Sequence, residues 1–278
     1  MRKFLGFIIT IILIVLIFVL CISFKLKKTV INTLSKSIVQ KEISSNVVDF
    51  YKKNVPSATS KEIKIIENRI LNNKQIVKIT EKYFDSIIET IINDKEVEAP
   101  DINKELNKII DDNKDIIKGN LGVTDEQVDL IEKYVVNQKT IDNLYKNVTK
   151  MVKNDLSDEE VKLINIYNFL IGSTFKYIVI GLIVFNIILL MIIQKSYYNW
   201  LFNLSISFAI NGIVLSLLLS ILNNYISSSF DGKFNNISID INFNSLFNVG
   251  YLCFLACGVL AVFYIIISTI IKKNKIEN

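Results

Sequence analysis

The chain has 278 residues, 51% hydrophobic and 21% charged, with a formal net charge of +5, no histidine and three cysteines. The charges are segregated from four apolar runs, which points to a soluble module joined to a membrane module. Lysines that alternate with Asp and Glu, with no aromatic-interleaved basic face, argue against nucleic-acid binding; the missing histidine removes the commonest general base and metal ligand; and Cys21, Cys253 and Cys257, all in apolar runs, give neither a zinc site nor a disulfide framework a foundation.

Residues 1–24 open with Met1, Arg2 and Lys3 and continue into FLGFIITIILIVLIFVL, which resembles a secretory signal. The sequence CISFKLKK follows, without a small-residue cleavage site, and Leu20 precedes Cys21 where a lipoprotein signal needs a small residue. The segment is therefore expected to persist as transmembrane helix 1, an uncleaved signal anchor. About 20 apolar residues suffice to cross the hydrocarbon core.

Residues 25–175 are expected to form an extracytoplasmic helical domain. Apolar residues recur at spacings of three and four, as in Ile76, Ile79, Phe84, Ile87, Ile88, Ile91 and Ile92. Capping boxes at Thr59 with Glu62, Thr124 with Gln127 and Ser157 with Glu160 mark helix starts. Pro56 and the EAPD at 98–101 punctuate the chain. TSKEIKIIENRILNNKQI (59–76) aligns without a gap on TDEQVDLIEKYVVNQKTI (124–141), and SDEEVKLINIY (157–167) repeats the opening half. Two repeated helical hairpins, 59–92 and 124–155, joined by a helix near 101–118, follow from this alignment. Residues 25–53 should prolong span one and 157–171 span two, each as an unbroken rod, because neither stretch contains a proline.

Three further spans are expected at 176–194, 200–222 and 246–271, with a turn at 195–199, an outer loop at 223–245 and a tail at 272–278. In the turn, Lys195 faces headgroups while Tyr197, Tyr198 and Trp200 act as interfacial anchors. In the loop, Ile237, Ile239, Ile241 and Phe243 alternate with Ser238, Asp240, Asn242 and Asn244, a strand signal, and Asp231-Gly232 supplies a turn. The expected fold class is thus an all-α membrane protein with four transmembrane helices, a helical outer domain and a small β-hairpin in the outer loop.

Span three carries Asn203, Ser207 and Asn211 along one face and a small-residue row, Gly212, Ser216 and Ser220, on another; span four offers Gly250, Cys253, Cys257 and Ala261. Small rows let helices approach closely, and membrane amides hydrogen-bond between them. A solute path along Asn186, Asn203 and Asn211 is the competing reading, but the spans hold no ionisable residue of the kind ion translocation uses. These residues are assigned to bundle packing. No residue is assigned to catalysis, to a cofactor or to a metal, and no nucleotide loop or G-x-S-x-G appears.

Four spans put both termini on one side, together with Arg2, Lys3, Lys195, Lys272, Lys273 and Lys275, which favours a cytoplasmic location for both. Lys25, Lys27, Lys28 and Lys176 oppose this, but a long domain translocates largely regardless of charge. The span order and stretches such as KSYYNW resemble uncharacterised four-span membrane proteins of low-GC Gram-positive bacteria. The order also resembles the membrane subunits of mechanotransmitting ABC systems, although those carry a cytoplasmic coupling segment where this chain has Met1, Arg2 and Lys3. The expectation is a non-catalytic, multi-pass plasma-membrane protein of the cell envelope. Its outer domain binds an extracytoplasmic protein partner or relays its state to the bundle; a transport-related subunit is the alternative. Membrane lipid is the other expected partner, and nucleic acid is not one.

Overall fold

A computed structural model describes residues 2–54, 59–93, 98–121, 126, 138–196, 198–218 and 243–276. The described helices, in chain order, are α1 (Arg2–Leu34), α2 (Gln40–Asn54), α3 (Ser60–Leu71), α4 (Lys74–Asn93), α5 (Asn103–Asp112), α6 (Lys114–Leu121) and α7 (Gln138–Asp155). They continue with α8 (Asp158–Ile171), α9 (Ser173–Gln194), α10 (Asn199–Ile213) and α11 (Asn244–Ile276). π-helical turns follow α1 at Ser35–Val39 and α10 at Val214–Leu218.

Four of these helices are long and apolar enough to cross a membrane: Arg2–Leu34, Ser173–Gln194, Asn199–Leu217 and Asn244–Ile271. The chain is a multi-pass membrane protein. Among the described residues there is no strand, so the expected β-hairpin is corrected and the fold class is all-helical. Most of the alternating run lies in 219–242, outside the described residues. Its end is already helical: the Phe243 carbonyl accepts from the Leu246 and Phe247 amides at 2.8 and 3.0 Å, and Asn244 opens α11. Alternation specifies a strand only where a neighbouring strand takes its backbone groups, whereas a helix satisfies them internally.

The chain divides into two compact units. The membrane unit comprises Met1–Val30, Phe169–Asp231 and Asp240–Asn278; the second comprises Ile31–Asn168 and Gly232–Ile239.

In the second unit, α3 lies on α2, and α4 lies on α5 and α7. Apolar side chains at helical spacing supply the core: Ile31, Ile76, Ile102, Ile110, Ile141 and Tyr145 are all buried. The chain turns between α3 and α4 at Asn72 and Asn73, where the Asn73 side-chain oxygen accepts from the Gln75 amide at 2.8 Å and caps α4. The expected connecting helix is two helices parted at Asn113, whose side chain donates back to the Ile109 carbonyl at 2.7 Å. Of the second repeat, 124–125 and 127–137 lie outside the described residues, while Ile141 is buried like its aligned counterpart Ile76. At Ser157 the capping box is complete: the Glu160 amide donates to the Ser157 hydroxyl at 3.3 Å, and the Glu160 carboxylate accepts from the Ser157 amide at 2.8 Å.

The two expected rods differ. From Arg2 to Asn54 the chain is helical throughout, with the π turn at Ser35–Val39 set into it. The other rod breaks at Gly172, whose backbone is extended (φ −64°, ψ 151°). Two side chains take carbonyls at the end of α8: the Ser23 hydroxyl donates to Leu170, and the Lys176 ammonium donates to Ile171 at 2.6 Å. Glycine alone costs a helix only about 1 kcal/mol. The break is stabilised because the ended helix finds these donors.

Candidate functional site

The membrane unit is organised around a seam between α10 and α11. Gly212 has no Cβ, and one built there would lie 2.9 Å from the ring of Phe254. A Cβ on Gly250 would lie 3.1 Å from the Ser216 backbone nitrogen and 3.3 Å from the Gly212 carbonyl oxygen. One end of the seam is held by the Ser205 hydroxyl, which donates to the Cys257 carbonyl at 3.0 Å and lies 3.3 Å from the Cys257 sulfur. The pairs 205 with 257, 212 with 254 and 216 with 250 run in opposite chain directions, so the helices are antiparallel. Ser216 donates to the Gly212 carbonyl within its own helix. Leu215, Val249 and Cys253 form a buried cluster, with Phe18, Cys21 and Phe208 against it. Cys21 and Cys253 are free thiols 3.9 Å apart. Ala261 is half-buried, and Ser220 lies outside the described residues.

Polar side chains on α10 form a ladder along the helix. Asn203 donates to the Asn199 carbonyl at 3.3 Å, Ser207 to the Asn203 carbonyl at 2.9 Å and Asn211 to the Ser207 carbonyl at 2.8 Å. Each reaches back one turn, a geometry set by the direction in which helical side chains lean. Asn211 alone also crosses to another helix, donating to the Ile14 carbonyl of α1 at 3.0 Å. It is 1% exposed. Asn186 on α9 likewise donates to its own Leu182 carbonyl at 2.8 Å. Of these four side chains, Asn211 links two helices, while Asn186, Asn203 and Ser207 donate within their own.

The turn before α10 is built from Lys195 in a left-handed conformation (φ 49°) and from Ser196, whose hydroxyl accepts from the Asn199 amide at 3.3 Å. Two of the anchor aromatics, Tyr198 and Trp200, are described, and each has an aromatic or apolar neighbour. Trp200 lies against a cluster of Ile9, Leu13 and Leu190, and the Tyr198 and Phe202 rings lie 5.9 and 5.4 Å from that of Tyr264. Tyr197 lies outside the described residues.

Sequence reasoning missed a groove in the second unit. It holds about 350 Å³ and is lined by Thr90, Tyr145, Thr149, Lys146, Lys150 and Lys153. The Tyr145 and Thr90 hydroxyls are 3.2 Å apart at its base, and the Thr149 hydroxyl is buried without a hydrogen-bond partner. The lysines recur at four and three residues on α7, a spacing that puts three ammonium groups on one face. That spacing was the available signal. Among the described residues no group of three or more His, Cys, Asp or Glu side chains is placed to hold a metal.

No protein family matches the chain, and no curated protein or solved structure is similar to it.

Proposed function

We propose that the chain is a non-catalytic integral membrane protein of the cell envelope, both termini cytoplasmic, whose second unit stands outside and docks an acidic segment of a protein partner. One observation carries the reading: the groove beside Lys146, Lys150 and Lys153, with the buried Thr149 hydroxyl in its wall. Three cations at one mouth raise the local concentration of an anionic partner and fix its register. A hydroxyl without a partner in a buried wall is a cost that a ligand's hydrogen bond removes. The extended backbone at Gly172 favours docking over a relay through an unbroken second rod. The positive residues around the turn and both termini support the outward placement.

A photo-crosslinking residue in place of Asn147, in intact cells, tests the proposal. Capture of a protein through an acidic segment, lost when Lys146, Lys150 and Lys153 are changed to Glu, is the expected result. Capture unaffected by charge reversal refutes the proposed face. Co-purification of a cytoplasmic ATPase instead of an outer partner favours the transport-subunit reading.

A further inference from the structure

The first half of α1, the end of α9 and one side of α10 border an open cavity of about 570 Å³. Phe7, Ile11 and Ile206 wall it with apolar surface, while Arg2 and Lys3 stand at its mouth. Gln194 also lines it, and its side-chain oxygen is buried without a hydrogen-bond partner. The amide fits because position 6 is glycine: a Cβ there would lie 3.3 Å from the Gln194 side-chain nitrogen.

Charge separates this cavity from an ordinary packing defect. Residues 1–30, 169–230 and 241–276 contain not one Asp or Glu. The membrane unit's carboxylates are Asp231, Asp240 and Glu277. Glu277 follows Lys272, Lys273 and Lys275 and is outnumbered by them. The described residues of the membrane unit include no Asp or Glu, and Arg2 and Lys3 are exposed beside an apolar wall.

We propose that this cavity is a site for an anionic glycerophospholipid with a hydroxylated headgroup. The phosphate pairs with Arg2 and Lys3, a headgroup hydroxyl donates to the Gln194 oxygen, and an acyl chain lies along Phe7, Ile11 and Ile206. Each part of an amphipathic ligand meets its complement: charge to charge at the interface, donor to unpartnered acceptor, chain to apolar wall. The site needs only that these helices span the membrane, and does not depend on the reading of the second unit.

Trp200 is the chain's only tryptophan and packs next to α9 and α1, so it reports on the cavity. The full-length protein is reconstituted in phosphatidylcholine, and brominated-acyl phosphatidylglycerol or brominated-acyl phosphatidylcholine is titrated in both leaflets. Trp200 quenching should favour phosphatidylglycerol by about fivefold or more. The preference should vanish in Arg2→Gln/Lys3→Gln and persist in Lys272→Gln/Lys273→Gln. Ile206→Phe, which narrows the cavity and keeps both cations, should also lose it. Equal quenching by both lipids, or a preference retained in Ile206→Phe, overturns the proposal, because the cations would then act only as general surface charge. Equal loss in the two lysine- and arginine-neutralised variants overturns it for the same reason.

Discussion

Replacing Gly250 with alanine should destabilise the membrane unit, while the same change at Gly258 on the same helix should not. A Cβ at Gly250 would meet the Ser216 nitrogen at 3.1 Å, the Ser216 Cβ at 3.2 Å and the Gly212 oxygen at 3.3 Å. Two of these three are backbone atoms of the facing segment, which cannot swing aside. Around Gly258 nothing lies within 4 Å. Overpacking of this kind costs about 1–3 kcal/mol, while the alanine recovers up to about 1 kcal/mol of helix propensity at either site. Because the propensity gain cancels between the two variants, Gly250→Ala should be less stable than Gly258→Ala by about 1–3 kcal/mol. That corresponds to a difference of roughly 5 °C in thermal midpoint for a chain of this size. Gly212→Ala should fall between them, since its neighbour is the Phe254 ring, 39% exposed and free to move toward lipid. The assay is thermal unfolding of the purified protein in mild detergent, followed by Trp200 fluorescence. A midpoint for Gly250→Ala at or above that of Gly258→Ala would refute close approach of α10 and α11 as the organising feature of the unit.

Asn211→Ala removes the bond to the Ile14 carbonyl and should cost about 0.6–2 kcal/mol; Asn203→Ala, which loses only a 3.3 Å bond within its own helix, should cost little in the same assay. In the second unit, the Lys82 ammonium, 2.7 Å away, holds the Glu105 carboxyl below its ordinary range, helped by Glu105's own backbone amide. A lowered folded-state pKa means stability that is present above the ordinary carboxylate range and lost as pH falls through the folded value. Glu105→Gln should therefore cost about 1–2 kcal/mol at neutral pH, the exposed lysine keeping it modest, and the gap to wild type should close on acidification. A gap that persists in acid would mean shape, not charge, carries the effect. Tyr167→Phe should be neutral or stabilising by up to about 1 kcal/mol in thermal unfolding, since the buried hydroxyl has no partner; a marked loss would reveal one.

The spans were legible because a bilayer demands about 20 apolar residues, which three runs meet without a charge and the other meets with Lys176 at its edge. The helix start at Ser157 was legible because its cap residues are neighbours in sequence. The features that escaped depend on distant partners. Gly172 breaks a rod where Ser23 and Lys176 supply donors, and no local propensity announces that. The π turn at Ser35–Val39 is a slip of hydrogen-bond register that composition does not record. Lys195 adopts a conformation more often given to glycine or asparagine, and Trp200 turns toward Leu190 instead of serving only the interface. The alternation up to Phe243 read as a strand, yet its end enters α11. The small residues and amides of the seam were visible as rows; the Asn211 bond to Ile14 required knowing which helix lies opposite.

Outward placement of the second unit is what the docking proposal depends on most directly, and cysteine accessibility measures it. In a background with Cys21, Cys253 and Cys257 replaced, Asn113→Cys should react with a membrane-impermeant maleimide added to intact cells, and Ser196→Cys only after permeabilisation. Labelling of Ser196→Cys in intact cells, with Asn113→Cys protected, would place the groove and its lysines in the cytoplasm and contradict the account.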